Sequence, residues 1–246
     1  MPLFLLLIFI ALLFVVNFYK AKIKGTIGEQ TVALYLHSLD KKKYKVLHNI
    51  VLESDGYTTQ IDHIVISDYG IFVIETKNYK GWIFGNEEAQ YWTQVIFNHR
   101  EKLYNPIKQN QGHIKALKKC LPEFPNLIYT SIIAFSSRAT LKVHTTTKVV
   151  YTARLTRTIK RYSVNNLPAT EKEAIVEKIK AANSIATFDK RKHIKSIQQR
   201  IEQNEALKRK EKCSKCGGIL VMRQGKFGIF LGCTNYPKCT NTIKLQ

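Results

Sequence analysis

The stretch QIDHIVISDYGIFVIETKNYKG, residues 60–81, carries charged side chains inside an otherwise apolar hairpin, and charge there is costly to bury. Two runs rich in β-branched residues flank Ser67–Gly70, a four-residue turn signal. Side chains alternate between faces along a strand, so Glu75 and Lys77 share a face with Ile71 and Val73. A four-residue loop pairs Ile66 with Ile71, and the same register sets Asp62 opposite Glu75. Opposed residues have Cβ atoms about 4.5–5.5 Å apart. Two carboxylates that close repel unless a cation lies between them, and hard oxygen donors with room for water suit Mg²⁺. Lys77 then orients a water or stabilises charge on a phosphate, which is the equipment of metal-assisted phosphodiester hydrolysis. A buried ion-pair network is the alternative, although such pairs stabilise weakly.

The surrounding chain reads as α/β, a sheet flanked by helices. Residues Gly25–Leu39 form a helix with apolar Ile27, Val32, Leu34 and Leu36, and Tyr44–Leu52 form a strand. Tyr91–Arg100 is expected as one further strand and Asn126–Ser136 as a β-branched one. A helix starts at Asn105, its N-cap, with Pro106 in first position. Residues 168–212 are rich in Lys and Arg and read as a mostly helical connector with little core of its own. No internal repeat is present.

Four blocks in order, GTIGEQTV, QIDHIVIS, GIFVIETKNYKGWIFG and NPIKQNQGHIKAL, resemble the nuclease-related domain of the PD-(D/E)XK nuclease class over residues 22–140. The resemblance implies a restriction-endonuclease-like mixed sheet. It also implies that Asp62 and Glu75 ligate Mg²⁺ or Mn²⁺ and that Lys77 is the catalytic lysine. Glu29 would be the acidic residue on the first helix, and Gln109 would touch the phosphate or position the site. For Glu29, an acid favoured by the helix dipole is the competing reading. His63 falls on the opposite face from Asp62 and is expected to be structural, as are Trp82 and Trp92, which are expected to pack.

Of five cysteines, four lie within the last 34 residues, a clustering unlike a secreted disulfide scaffold. Cys213 and Cys216 are separated by two residues, Cys233 and Cys239 by five, with sixteen between the pairs. That spacing makes a closed tetrahedral zinc site. FLGCTNYPKC resembles the C-terminal zinc finger of type IA topoisomerases, with Ser214 where that family usually has proline. The resemblance favours DNA. Phe227, Phe230 and Tyr236 would stack single-stranded bases, with Arg223, Lys226 and Lys238 on phosphates; the competing reading is that the aromatics only cover the metal. Cys120, outside the cluster, is expected as a small buried apolar residue.

Lys and Arg number 39 against 18 Asp and Glu, a net charge of +21 that attracts nucleic acid or an anionic membrane. Pro2–Tyr19 holds no charge and is just long enough to span a bilayer. Its basic residues, Lys20, Lys22 and Lys24, follow the run, where a signal peptide carries them ahead of it. The expectation is a single-pass cell-membrane anchor over 1–20 with the bulk of the chain cytoplasmic. Behind it come the nuclease-like domain (22–140), a C-terminal extension and basic connector (141–210) and the four-cysteine zinc finger (211–246). Three functions fit: a membrane-anchored, metal-dependent DNA nuclease, a DNA-binding protein that does not cut, and a membrane scaffold stapled by zinc.

Overall fold

The computed structural model describes residues 25–54, 56–184, 212–225 and 228–244. The expected anchor lies outside them, and among the described residues no helix is long and apolar enough to cross a membrane. The chain divides into two units, Met1–Phe188 and Asp189–Gln246.

The first unit opens with α1 (25–37). A meander follows: β1 (Tyr44–Ser54), β2 (Tyr57–Ser67) and β3 (Gly70–Lys77). β4 (Gly81–Asn86), β5 (Tyr91–Ile96) and β6 (His99–Tyr104) precede α2 (Pro106–Cys120). Next are β7 (Tyr129–Phe135), β8 (Ala139–His144), β9 (Lys148–Tyr151), α3 (Leu155–Ile159) and α4 (Ala169–Ala182). The central sheet has the order β1-β2-β3-β7-β9, antiparallel through β3 and parallel beyond it. A second sheet has the order β6-β5-β4-β8.

Alternation along β2 and β3 sorts the core into two layers. Ile64, Ile66, Ile71 and Val73 pack with Leu117 of α2 and Ile175 and Ile179 of α4. On the other face Val65, Phe72 and Ile74 meet Val32 and Leu36 of α1 and Leu155 and Ile159 of α3. The second sheet presses Ile83, Trp92 and Leu103 against Ile107, Ile133 and Phe135. Gly85 is required there, because a Cβ would stand 2.4 Å from the Trp92 ring.

Several expectations change. Tyr91–Arg100 is the two strands β5 and β6, which reverse at Phe97 (φ 52°). α4, expected in a connector with little core, buries Ile175, Val176 and Ile179, because its apolar stripe faces the sheet. Its Lys172 is buried too, donating to Asp68 Oδ1 at 2.5 Å and to the Lys42 carbonyl at 3.1 Å. On α1, Val32 and Leu36 are core residues while Ile27 and Leu34 are exposed, since the helix buries a narrower stripe. Trp92 packs as expected, stacked on Phe135, but Trp82 is 55% exposed on the outer face of the second sheet. Cys120 is half-buried against the α2–α4 core layer.

The second unit is a three-stranded antiparallel sheet, β10 (Leu220–Gly225), β11 (Gly228–Cys233) and β12 (Thr242–Lys244), with β11 central.

Candidate functional site

The β2–β3 hairpin has the register the sequence implies. Ile66 pairs with Ile71 and His63 with Ile74, and one step further sets Asp62 beside Glu75. Gly70 (φ 122°) makes the turn, where a Cβ would come 2.6 Å from the Ile128 carbonyl. On β1 the ladder runs from His48↔His63 to Ile50↔Ile61 and skips Asn49, the residue opposite Asp62, which has φ 53°. That kink switches the alternation: Leu47, Ile50 and Leu52 all face the same core layer. Asp62 Oδ2 accepts from the Thr76 N–H at 2.8 Å, so a side chain takes the place of a ladder bond at this point.

Glu75 is buried, and each of its oxygens has one partner. Its Oε1 accepts from Lys77 Nζ at 2.7 Å and its Oε2 lies 3.0 Å from His113 Nε2. His113 Nδ1 is 2.7 Å from Thr59 Oγ1. The tautomer that donates from Nε2 to the carboxylate leaves Nδ1 to accept from the Thr59 hydroxyl. Lys77 Nζ also donates to Gln109 Oε1 at 3.0 Å. Gln109 and His113 are four apart, one turn on a single face of α2. The helix is fixed by Asn105, which accepts from the Ile107 N–H, and by buried Asn110, whose amide donates to the Val73 carbonyl and Ser131 Oγ.

α1 brings Glu29. It passes so close to the end of β3 that a Cβ on Gly28 would stand 2.7 Å from Asn78 Cβ. Glu29 is half-buried, and its charge acts on Asp62. Burial, then the Glu75 charge, hold the Asp62 carboxyl well above its ordinary range. Burial would raise Glu75 as well, but Lys77 and His113 bring it down to about 2. Burial opposes the charge on Lys77, yet Glu75 keeps its ammonium above the ordinary value. His63 lies outside this group. Burial and the adjacent His48, whose Nδ1 is 2.7 Å from its own, bring His63 down to about 3.

The structure therefore gathers Glu29, Asp62, Glu75, Lys77 and Gln109 at one end of the β2–β3 ladder. It adds His113, which the sequence reading missed; its spacing of four from Gln109 was the only available signal. Asp62 has no cationic partner within salt-bridge distance among the described residues, and Glu75 has a free lone pair on each oxygen. A crowded, acidic oxygen donor set of this kind fits a hard divalent cation.

In the second unit the four cysteine Sγ atoms lie within 4.8 Å of one another. Cys213–Cys239 and Cys216–Cys233 are 3.6 and 3.3 Å apart, with all four thiols free. A tetrahedron of Zn–S bonds of about 2.3 Å has edges of about 3.8 Å, so the cluster fits a single zinc. Gly217 (φ 70°) turns the first knuckle, where its N–H donates to the Cys213 carbonyl. Asn241 and Asn235 amides donate to the sulfurs of Cys213 and Cys216 at 3.3 and 3.5 Å, the outer support such ligands need. Burial would raise the Cys213 thiol, but the Lys215 and Cys216 N–H groups and Asn241 bring it to about 6.

Of the expected nucleic-acid contacts on this unit, Arg223, Tyr236 and Lys238 are exposed and Phe230 is half-buried; Lys226 and Phe227 lie outside the described residues. Arg223 spans Gly232 to donate to the Cys233 carbonyl at 3.3 Å and stands 6.0 Å over the Tyr236 ring.

Residues 24–136 match the model of the nuclease-related domain, and residues 210–246 that of the topoisomerase DNA binding C4 zinc finger. An uncharacterized protein of Bacillus anthracis is 40% identical over 200 residues, 79% of this chain and 93% of that one. DNA topoisomerase 1 of Archaeoglobus fulgidus is 40% identical over 62 residues, and that of Methanocaldococcus jannaschii 54% over 42. These stretches are 25% and 17% of this chain but only 9% and 6% of the enzymes. No solved structure matches.

Proposed function

Since the chain belongs to the nuclease-related-domain family and ends in a topoisomerase-type C4 zinc finger, we propose that it is a metal-dependent DNA nuclease of restriction-endonuclease-like type. The observation that carries this is the hairpin end where Asp62, Glu75 and Lys77 converge with Gln109. Asp62 and Glu75 hold Mg²⁺ or Mn²⁺, with Glu29 on the same side. A divalent cation there polarises the phosphate and makes a bound water more acidic. Lys77, kept charged by Glu75 and aimed by Gln109, stabilises negative charge on the phosphate or orients the attacking water. His113 is a positioning residue: it fixes Glu75 and leaves the carboxylate's remaining lone pairs for the metal. The four-cysteine unit holds zinc through Cys213, Cys216, Cys233 and Cys239. It binds DNA, preferring single strands, through Arg223, Phe230, Tyr236 and Lys238 together with Lys226 and Phe227. The apolar run before α1 anchors the chain in the cell membrane, with Lys20, Lys22 and Lys24 keeping both units in the cytoplasm.

One observation favours a second reading. Both Glu75 oxygens are already engaged, by Lys77 and His113, as they would be in a DNA-binding protein that does not cut. Nicking of circular plasmid by the full-length protein separates the two. Cleavage that needs Mg²⁺ or Mn²⁺ and stops with EDTA is expected. Binding of the plasmid without nicking under either metal would favour the second reading.

A further inference from the structure

The outer face of the second sheet is the strongest surface feature that the proposed chemistry leaves unused. Trp82 and Phe84 of β4 project from it, 55% and 39% exposed, with ring centroids 6.1 Å apart at 74°. Tyr91 and Tyr104 form a second exposed pair on β5 and β6, also at 6.1 Å. Phe84 pairs with Thr93, so Tyr91 is its diagonal neighbour at about 7–8 Å. At the β5–β6 turn, Phe97 is 95% exposed at φ 52°. A left-handed backbone is uncommon for a non-glycine residue, and here it holds a bare ring in solvent.

Cations border the rings. The register aligns Lys102, Thr93, Phe84 and Lys142 in one row across the four strands. Neighbouring strands are about 4.8 Å apart, so the two lysines flank Phe84 over about 14 Å. The adjacent row runs Arg100, Val95, Trp82, Thr140. No strand position on this face carries a carboxylate, and Arg100, Lys102 and Lys142 have no acidic partner among the described residues.

We propose that this face is a docking platform for a single-stranded nucleic acid, separate from the zinc unit. The two edge-to-face pairs leave ring faces open to solvent on which bases can stack, and the flanking cations suit the phosphates between them. A duplex keeps its base faces inside its own stack, so exposed rings favour a single strand. The absence of carboxylates from the strand positions of this face suits a polyanion and disfavours a basic protein partner. The inference deepens the nuclease reading, because it gives the unit that carries Asp62 and Glu75 its own grip on the strand to be cut.

Trp82 supplies the test, since the only other tryptophan, Trp92, is buried. Full-length protein in detergent is titrated with a labelled single-stranded DNA of about 20 nucleotides, enough for one or more binding sites, following anisotropy and tryptophan emission together. Quenching that saturates with binding is expected, and Trp82→Phe should remove it. The Trp82→Ala/Phe84→Ala protein should bind about tenfold or more weakly, and Lys102→Ala/Lys142→Ala should reduce both the affinity and its salt dependence. Unchanged emission with unchanged affinity in both double variants would overturn the platform and assign binding to the zinc unit. Emission that responds to phosphatidylserine vesicles and not to the oligonucleotide would overturn it in favour of a membrane-facing surface. Cleavage in Mg²⁺ is read on the same samples: quenching without cleavage fails the nuclease reading alone, and cleavage without quenching fails the platform alone.

Discussion

Replacing Lys77 with methionine keeps most of the side-chain volume and removes the charge that meets a carboxylate only 2% exposed. Glu75 is held at about 2, against an ordinary 4.5, by Lys77 and His113 working against burial. A displacement of that size corresponds to about 3 kcal/mol of native-state stability at neutral pH. Stripping one partner from a buried pair costs about 3–5 kcal/mol, so Lys77→Met should lose about 3 kcal/mol at pH 7. The sign of the pH dependence follows from the direction of the shift. A depressed carboxyl contributes fully above the ordinary value of 4.5 and loses that contribution as pH falls towards 2. The deficit of Lys77→Met should therefore shrink, by about 1 kcal/mol, between pH 7 and pH 4. Urea unfolding in magnesium-free buffer, followed by tryptophan emission, measures it, because both tryptophans lie in the first unit. A Glu75→Gln/Lys77→Met protein should recover part of the loss. A single variant as stable as the wild type at pH 7, or a deficit equal at both pH values, would refute the electrostatic account of the site.

Asn49→Ala should destabilise the first unit by about 1–2 kcal/mol, since alanine tolerates the left-handed backbone poorly, whereas Asn49→Gly should cost much less; urea midpoints check both. Cys216→Ser should lower zinc from about one atom per chain to none by elemental analysis while leaving the tryptophan emission unchanged. Glu87 accepts from the hydroxyls and N–H groups of Thr147 and Thr146, and these hold it at about 2. Glu87→Gln should speed hydrogen exchange at both amides above pH 4.5, and in the wild type the protection should fade as pH drops towards 2.

Local rules made the hairpin legible: the alternation and the four-residue turn fixed Ile66 opposite Ile71 and hence Asp62 beside Glu75. The Asn105–Pro106 start of α2 and the cysteine spacing were readable for the same reason. What was missed depends on contacts distant in sequence. His113 is an ordinary polar helix residue until α2 lies across β3 and turns it onto Glu75. α4 reads as a basic connector because Lys172 interrupts its stripe, and only the fold supplies Asp68 and the Lys42 carbonyl to satisfy that lysine. Trp82 reads as a packing residue like Trp92, and only the strand register shows that it faces outward beside Phe84.

Unlike Glu75, Asp62 has no cationic partner within salt-bridge distance among the described residues, which leaves its carboxylate to the metal. The most direct measurement is the single-turnover cleavage rate of end-labelled DNA by wild-type and Asp62→Asn protein at saturating Mg²⁺, with urea midpoints measured in parallel. The predicted result is a cleavage rate for Asp62→Asn at background with folding and DNA affinity retained. A folded Asp62→Asn protein that cuts at the wild-type rate would contradict it.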